Sequence, residues 1–322
     1  MELDAMPTSF KVVIPQFGPA ETLEIVEAEL AAPADNEVQV EGMFASINPI
    51  DVKTRAGLGW AAQSNKDNLP WTPGYDLVGK VLAVGDSVSG FSIGDHVVGF
   101  IGFPLEAGAY AQRLNVVSQE LLKVPNSITF EAAAALPLAG LTAMQAVQKA
   151  SIEPGQSVLI LGGAGGVGHI AVQLAVATGA DVYTTCGATN LDYMATLGAT
   201  AINYHVAPAS QQLQGIDVLI DLIGGDVALD AMKCLKSGSR VITIPTITAD
   251  KIKAEAENIG VTAEGMLVEP NTEQLTTLLN MVGDGSLKID IQTVFSMADV
   301  VKAHQQVETG HTRGKVLLDL SH

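Results

Sequence analysis

Leu159-Ile160-Leu161-Gly162-Gly163-Ala164-Gly165-Gly166-Val167-Gly168 is the stretch whose reading decides the fold of this 322-residue chain. Its apolar start predicts a strand, its glycine cluster a turn, and the residues beyond it, with Ala171, Val172, Leu174 and Ala175, a helix. Gly163, Gly165 and Gly168 match G-x-G-x-x-G, with the strand before and the helix after that the motif requires. The first glycine permits a tight turn, the second a close approach of backbone to a pyrophosphate, and the third close packing of helix on strand. Gly166 and Val167 lie in the same loop, and the free N–H groups of the helix N-terminus favour an anion there. A glycine-rich turn with no ligand is the plainer alternative, and the surroundings weigh against it.

Working outward, strands are expected at Ser157–Leu161, Asp181–Cys186, Thr200–Tyr204, Asp217–Leu222 and Arg240–Pro245. Helical stretches near Val167–Thr178, Asn190–Leu197 and Val227–Leu235 separate them. Such alternation implies an α/β, doubly wound parallel sheet. Upstream the texture is β-rich: Lys11–Ile14, Glu37–Met43 and Leu77–Val84 are apolar, β-branched runs punctuated by Gly, Pro and Asp. No helical period is sustained before about Ser127, and Phe130–Lys149 then reads as one helix. The tail reads as helix Thr272–Val282, strand Ile289–Phe295, helix Met297–Glu308 and strand Gly314–Leu320. The expected division is 1–128, 129–270 for the dinucleotide-binding part, and 271–322.

Bulk properties exclude several classes of function. Acids outnumber bases 35 to 17, giving a net charge of −18, so nucleic acid and anionic membrane surfaces are poor partners. With hydrophobic residues at 48% and charged ones at 16%, the chain can bury a large core. Cys186 and Cys234 stand far apart with no histidine at ligand spacing, which argues against a disulfide framework and a cysteine-built zinc site. Met1-Glu2-Leu3-Asp4 lacks the basic start of a signal peptide and no apolar run is long enough to span a membrane, so a cytoplasmic protein is expected.

Sites selective for NAD place an acid at the end of the second strand, to accept from the ribose 2′-hydroxyl. Tyr183 to Asn190 contains no acid, and the hydroxyls of Thr185 and Thr189 can bond a 2′-phosphate; NADPH is therefore favoured, although no Arg or Lys stands in the segment either. Tyr204 can pack on the adenosine end or be an ordinary strand-end tyrosine. His169, just inside the glycine-loop helix, reads as packing rather than chemistry.

Beyond the glycine loop, Ser46-Ile47-Asn48-Pro49-Ile50-Asp51, Pro73-Gly74-Tyr75-Asp76-Leu77-Val78-Gly79, Gly94-Asp95-His96-Val97, Leu136-Pro137-Leu138-Ala139-Gly140-Leu141-Thr142-Ala143, Leu197-Gly198-Ala199, Asp221-Leu222-Ile223-Gly224-Gly225 and Gly310-His311-Thr312-Arg313-Gly314-Lys315-Val316 follow one another in order. In these blocks nearly the whole chain resembles the medium-chain dehydrogenase/reductase superfamily. Zinc enzymes of that superfamily carry a ligand Cys where Asn48 stands and Gly-His-Glu where Gly74-Tyr75-Asp76 stands, and this chain lacks their structural zinc lobe. The resemblance is thus to the zinc-independent quinone oxidoreductase branch, with no metal expected. It implies a Rossmann sheet inserted in a GroES-like β-rich domain, the tail returning to the latter, and a homodimer.

The resemblance further implies that Asn48 holds the nicotinamide or a substrate oxygen and that Thr142 bonds the carboxamide or ribose. Lys53 or Arg55 would stabilise negative charge on the product, with a surface salt bridge as the alternative for each. Asp51 and Asp76 would fix loops. Gly224, Ile244 and Pro245 would line the cofactor groove, and Lys315 would reach the cofactor or form a structural ion pair. Phe100 and Phe103 can line the acceptor site or belong to the core. The activity expected is hydride transfer from NADPH to a quinone or an α,β-unsaturated carbonyl. An alkenal or enoyl reductase is a variant of it, and an NADPH-binding sensor or structural protein with little turnover is the alternative from another class.

Overall fold

A computed structural model describes residues 9–321. The chain opens with a short antiparallel ribbon of β1 (Ser9–Val13) and β2 (Glu24–Ala28). The long strand β3 (Glu37–Ile47) follows, then two short helices, α1 (Pro49–Arg55) and α2 (Gly59–Asn65). Next come β4 (Asp76–Val84), β5 (His96–Phe100), β6 (Arg113–Val117) and β7 (Leu121–Lys123). The sequence reading placed no helix this early. Its physical cause is local: Asn48 sits in extended backbone before Pro49, which occupies the first helical turn without loss of a needed N–H, and Asp51 Oδ2 accepts from Asn48 N at 2.8 Å. Seven residues are too few to show a helical period.

The expected single helix over Phe130–Lys149 is two, α3 (Phe130–Ala134) and α4 (Pro137–Ala150). Pro137 cannot continue a helix and starts one instead. A parallel sheet follows: β8 (Ser157–Ile160), α5 (Gly168–Ala177), β9 (Asp181–Cys186), α6 (Leu191–Thr196), β10 (Thr200–Asn203), α7 (Ala209–Gln212), β11 (Ile216–Asp221), α8 (Gly225–Met232), β12 (Leu235–Thr243), α9 (Ala249–Ile259) and β13 (Thr262–Gly265). Its order is β10-β9-β8-β11-β12-β13, with every neighbouring pair parallel. This is the expected doubly wound Rossmann arrangement, and the order reverses beside β8, where ligands bind in such sheets. Of the four strands expected after Ser157–Leu161, β9 has the expected bounds and the other three exist with shifted ends, β12 most of all.

The tail holds α10 (Thr272–Gly283), β14 (Ile291–Ser296), α11 (Val300–Glu308) and β15 (Lys315–Asp319). β15 lies antiparallel to β3, and the resulting sheet runs β14-β15-β3-β4-β5-β7 with β6 also on β3. That pairing carries Lys315, remote in sequence, to the end of β3 where Asn48 begins.

Burial explains why β8 reads as a continuous apolar run rather than an alternating one. Val158 and Ile160 join the large core shared with α4, α5 and the β-rich sheet; Leu159 and Leu161 join a second core with Ala228, Met232 and Ile252 from α8 and α9. Successive side chains point to opposite faces, and both faces are covered. Among the described residues no helix is long and apolar enough to cross a membrane.

Candidate active site

The loop after β8 is built against β9. Gly162 N donates to Thr185 Oγ1 at 3.0 Å and Gly163 N to the Thr185 carbonyl at 3.1 Å. A Cβ on Gly163 would stand 1.9 Å from Thr184 Oγ1, and one on Gly168 2.2 Å from the Gly162 carbonyl oxygen, so the outer glycines of the motif exist for packing. Gly165, Gly166 and Val167 instead face an open cleft, and the N–H groups of Gly166 and Val167 donate to no backbone carbonyl among the described residues. With α5 starting at Gly168, they form a cradle that fits a pyrophosphate.

His169, fully buried in the first turn of α5, fastens this cradle to the tail. Its Nδ1–H donates to the Gly165 carbonyl at 2.9 Å and its Nε2 accepts from Asp290 N at 3.2 Å. Burial pushes its pKa down to about 4, so the ring is neutral and serves packing, as read from sequence.

Asn48, Asp76 and Lys315 form the cleft floor. The Asn48 amide is fully engaged: Nδ2 donates to Asp76 Oδ2 at 2.9 Å, and Oδ1 accepts from Lys315 Nζ at 2.5 Å. Asp76 Oδ1 also accepts from Leu138 N at 2.8 Å, which ties the floor to the start of α4. Lys315 is 3% exposed, and its ammonium lies 4.0 Å from Asp76 Oδ2. Burial raises the Asp76 carboxyl against the pull of Lys315, and burial lowers Lys315 against the pull of Asp76 and Asp51. Asp51, also fully buried, accepts from Asn48 N, Gly74 N and Tyr110 Oη, and burial raises it to about 7. Asp51 and Asp76 thus hold loops, while Lys315 makes a buried ion pair and borders the cleft at the same time.

The cleft is a cavity of about 330 Å³, in the range of small-molecule sites. Of the residues singled out from sequence, it brings together Asn48, Lys53, Phe103, Thr142, Gly165, Gly166, Val167, Gly168, Ile244, Pro245 and Lys315. Thr142 Oγ1 is buried and donates to the Leu138 carbonyl at 2.7 Å. Lys53 projects from α1 at the mouth, where partial desolvation lowers its pKa.

Other residues singled out from sequence lie outside the lining of the cleft. Arg55 is neither at the surface nor in the cleft: it is fully buried, donates to the Gly18 carbonyl at 3.1 Å and pairs with Glu308. Gly224 caps α8 and donates to Asp221 Oδ1 at 2.7 Å, while Leu222 and Ile223 line the cleft in its place. Thr185 Oγ1 accepts from Gly162 N, a bond that leaves its O–H as a donor. Thr189 and Tyr204 stand exposed outside the cleft, and Phe100 is core. The apolar wall made by Trp60, Leu58, Ile247 and Leu267 was missed. Trp60 meets Phe103 edge-on at 6.0 Å between ring centroids. Only the exposure of Leu58, Ile247 and Leu267, each about half accessible despite its size, marks them, and exposure is not a property of sequence.

Among the described residues no three His, Cys, Asp or Glu side chains converge as a metal site. Asn48 offers an amide, and the Tyr75 phenol donates to the Pro104 carbonyl at 3.1 Å.

Comparisons with known proteins agree with this fold. Residues 34–126 match the alcohol dehydrogenase GroES-like domain and residues 197–318 the zinc-binding dehydrogenase family. The chain is 32% identical to 2-methylene-furan-3-one reductase of Solanum lycopersicum, over 94% of this chain and 76% of that protein. The quinone oxidoreductase of Coxiella burnetii superposes with a TM-score of 0.94 at 38% identity, over 97% of this chain and 99% of that one. The Escherichia coli quinone oxidoreductase complexed with NADPH superposes with a TM-score of 0.86 at 28% identity, over 96% and 99%.

Proposed function

Because the chain belongs to the medium-chain dehydrogenase/reductase family, in its quinone oxidoreductase branch, we propose that it is an NADPH-dependent reductase that transfers hydride to a quinone or an α,β-unsaturated carbonyl without zinc. The observation that carries this reading is the cleft itself, where a glycine-loop anion cradle, a buried cation and an apolar aromatic wall meet. The relative from Escherichia coli is complexed with NADPH, which supports the cofactor. The zinc-free route is supported by the side chains that stand at Asn48 and Tyr75, neither a thiolate nor an imidazole.

NADPH, when bound, supplies the hydride. The chain supplies position and field. Gly166 and Val167 offer N–H groups to the pyrophosphate. Thr142, Ile244 and Pro245 border the nicotinamide half of the groove. Lys315, held by Asn48 and Asp76, keeps a positive charge at the floor, where negative charge develops on a reduced carbonyl. Trp60 and Phe103 offer faces on which a flat acceptor stacks, and they exclude water from it. We assign residues 1–128 and 271–322 to the acceptor side and 129–270 to the dinucleotide side, and the reading includes a homodimer.

The test is oxidation of NADPH at 340 nm with a panel of quinones and enones, with NADH in parallel. Turnover with NADPH well above NADH is expected. No turnover on any acceptor, with NADPH still bound in a fluorescence titration, would replace the reductase by a sensor or structural protein.

A further inference from the structure

We infer that the acceptor carries a long aliphatic chain, which lies between Leu58, Ile247 and Leu267 at the mouth of the cleft; the acceptor class so named rests on the reductase reading above.

Leu58, Ile247 and Leu267 are 54%, 58% and 46% exposed, yet all three line the same cleft. They reach it from three separate segments. Leu58 precedes α2, Ile247 lies in the turn between β12 and α9, and Leu267 follows β13. Two of these segments meet across the mouth: a Cβ built on Gly59 would stand 3.9 Å from Ile247 Cδ1, so the start of α2 and the turn before α9 are within van der Waals reach. Trp60, the next residue, meets Phe103 edge-on, and the lips thus continue the wall on which the acceptor ring stacks.

Single exposed apolar residues are ordinary, but several around one opening mark a surface that an apolar ligand covers. The cofactor has its own wall: Ile223, the fourth half-exposed aliphatic residue of the lining, lies over the glycine loop, 2.8 Å from the position of a Cβ on Gly162. Charge points the same way. The chain carries 35 acids, and among the described residues none lines the cleft. Its charged side chains there are Lys53 and Lys315, the latter buried and engaged by Asn48. A bare quinone or enone is a flat head that Trp60 and Phe103 hold, and it leaves the lips in water. An aliphatic chain on that head follows the wall outward and takes the three lips out of water.

The experiment compares kcat/KM for NADPH oxidation by the full chain with 2-methyl- and 2-decyl-1,4-benzoquinone, or with short- and long-chain alk-3-en-2-ones where enones are the better heads, below the concentration at which the long compounds form micelles. Alkyl groups of either length alter the reactivity of the head alike, so the ratio of long to short reports on the chain. The wild type is expected to favour the long compound about tenfold or more, the effect of burying roughly two methylene groups. Leu58→Gln and Ile247→Asn should each cut that ratio about threefold, and together bring it near one; Ile247→Leu should keep it. A wild-type ratio near one, a ratio that survives the paired substitutions, or equal losses on both acceptors overturns the inference. A changed sedimentation coefficient in the paired variant with the ratio kept also overturns it and assigns the lips to a second copy of the chain. If no head is reduced while NADPH still binds, the reductase reading falls and the chain site with it; if the short compound is turned over and the chain adds nothing, only the chain site falls.

Discussion

Replacing Lys315 by Met tests the buried ion pair at the cleft floor. Methionine keeps most of the apolar stem and removes the ammonium. Asp76 then loses its cation at a fully buried position, with Leu138 N and Asn48 Nδ2 as its remaining donors. Removing one partner of a buried pair costs about 3–5 kcal/mol. Part of that is relieved by protonation, because burial already raises the Asp76 pKa and loss of Lys315 raises it further. The sign of the pH effect follows. An acid whose folded pKa lies above its unfolded value binds more protons when folded, so stability falls as pH rises through the window between the two values. Urea unfolding of Lys315→Met is therefore expected to show a small deficit near pH 5 and a deficit of about 3 kcal/mol or more near pH 8. Adding Asp76→Asn removes the uncompensated charge and should recover at least half of the loss at the higher pH. A deficit below about 1 kcal/mol that does not change with pH would refute the buried pair.

Gly166→Val places a Cβ about 3.0 Å from Lys315 Cδ and crowds the cradle, and NADPH affinity measured by fluorescence should fall about tenfold or more with the fold kept. Burial and Arg55 lower His304 to about 3, and neither ring nitrogen has a partner within the protein. Its folded pKa lies below its unfolded value, so it removes stability as pH falls from about 6.5, and His304→Leu should flatten that acid limb in urea titrations without loss at pH 7. His169 has a similarly lowered pKa, about 4, but both nitrogens are bonded. His169→Ala should therefore cost about 1–3 kcal/mol at pH 7, through the unpartnered Gly165 carbonyl and Asp290 N. Trp60→Ala removes the edge-on partner of Phe103, and steady-state kinetics should show the acceptor KM rise roughly fivefold, near 1 kcal/mol, with the NADPH affinity unchanged.

Where an element is long or periodic, the chain alone was enough. The Rossmann strands and the glycine loop were legible because a parallel sheet covered on both faces demands uninterrupted apolar runs, and a close helix–strand contact demands glycine at Gly163 and Gly168. α1 was overlooked because it is too short for a period, although Asn48, Pro49 and Asp51 spell a helix start once one is sought. Arg55 looked like a surface cation because nothing local distinguishes it from one; the packing of α11 against α1 buries it beside Glu308.

The sequence by itself determined the fold class, the phosphate loop, the lack of zinc-binding side chains at Asn48 and Tyr75, and the acid-poor end of β9, all of which depend on residue types at short spacing. Only the tertiary structure decided that Lys315 sits on Asn48, that Thr185 Oγ1 accepts from the N–H of Gly162 in the loop, that Trp60 and Phe103 share a wall, and that His205 stands over Gly187. These contacts join residues 18 to 267 positions apart, and their geometry comes from strand pairing and packing, which no local pattern encodes.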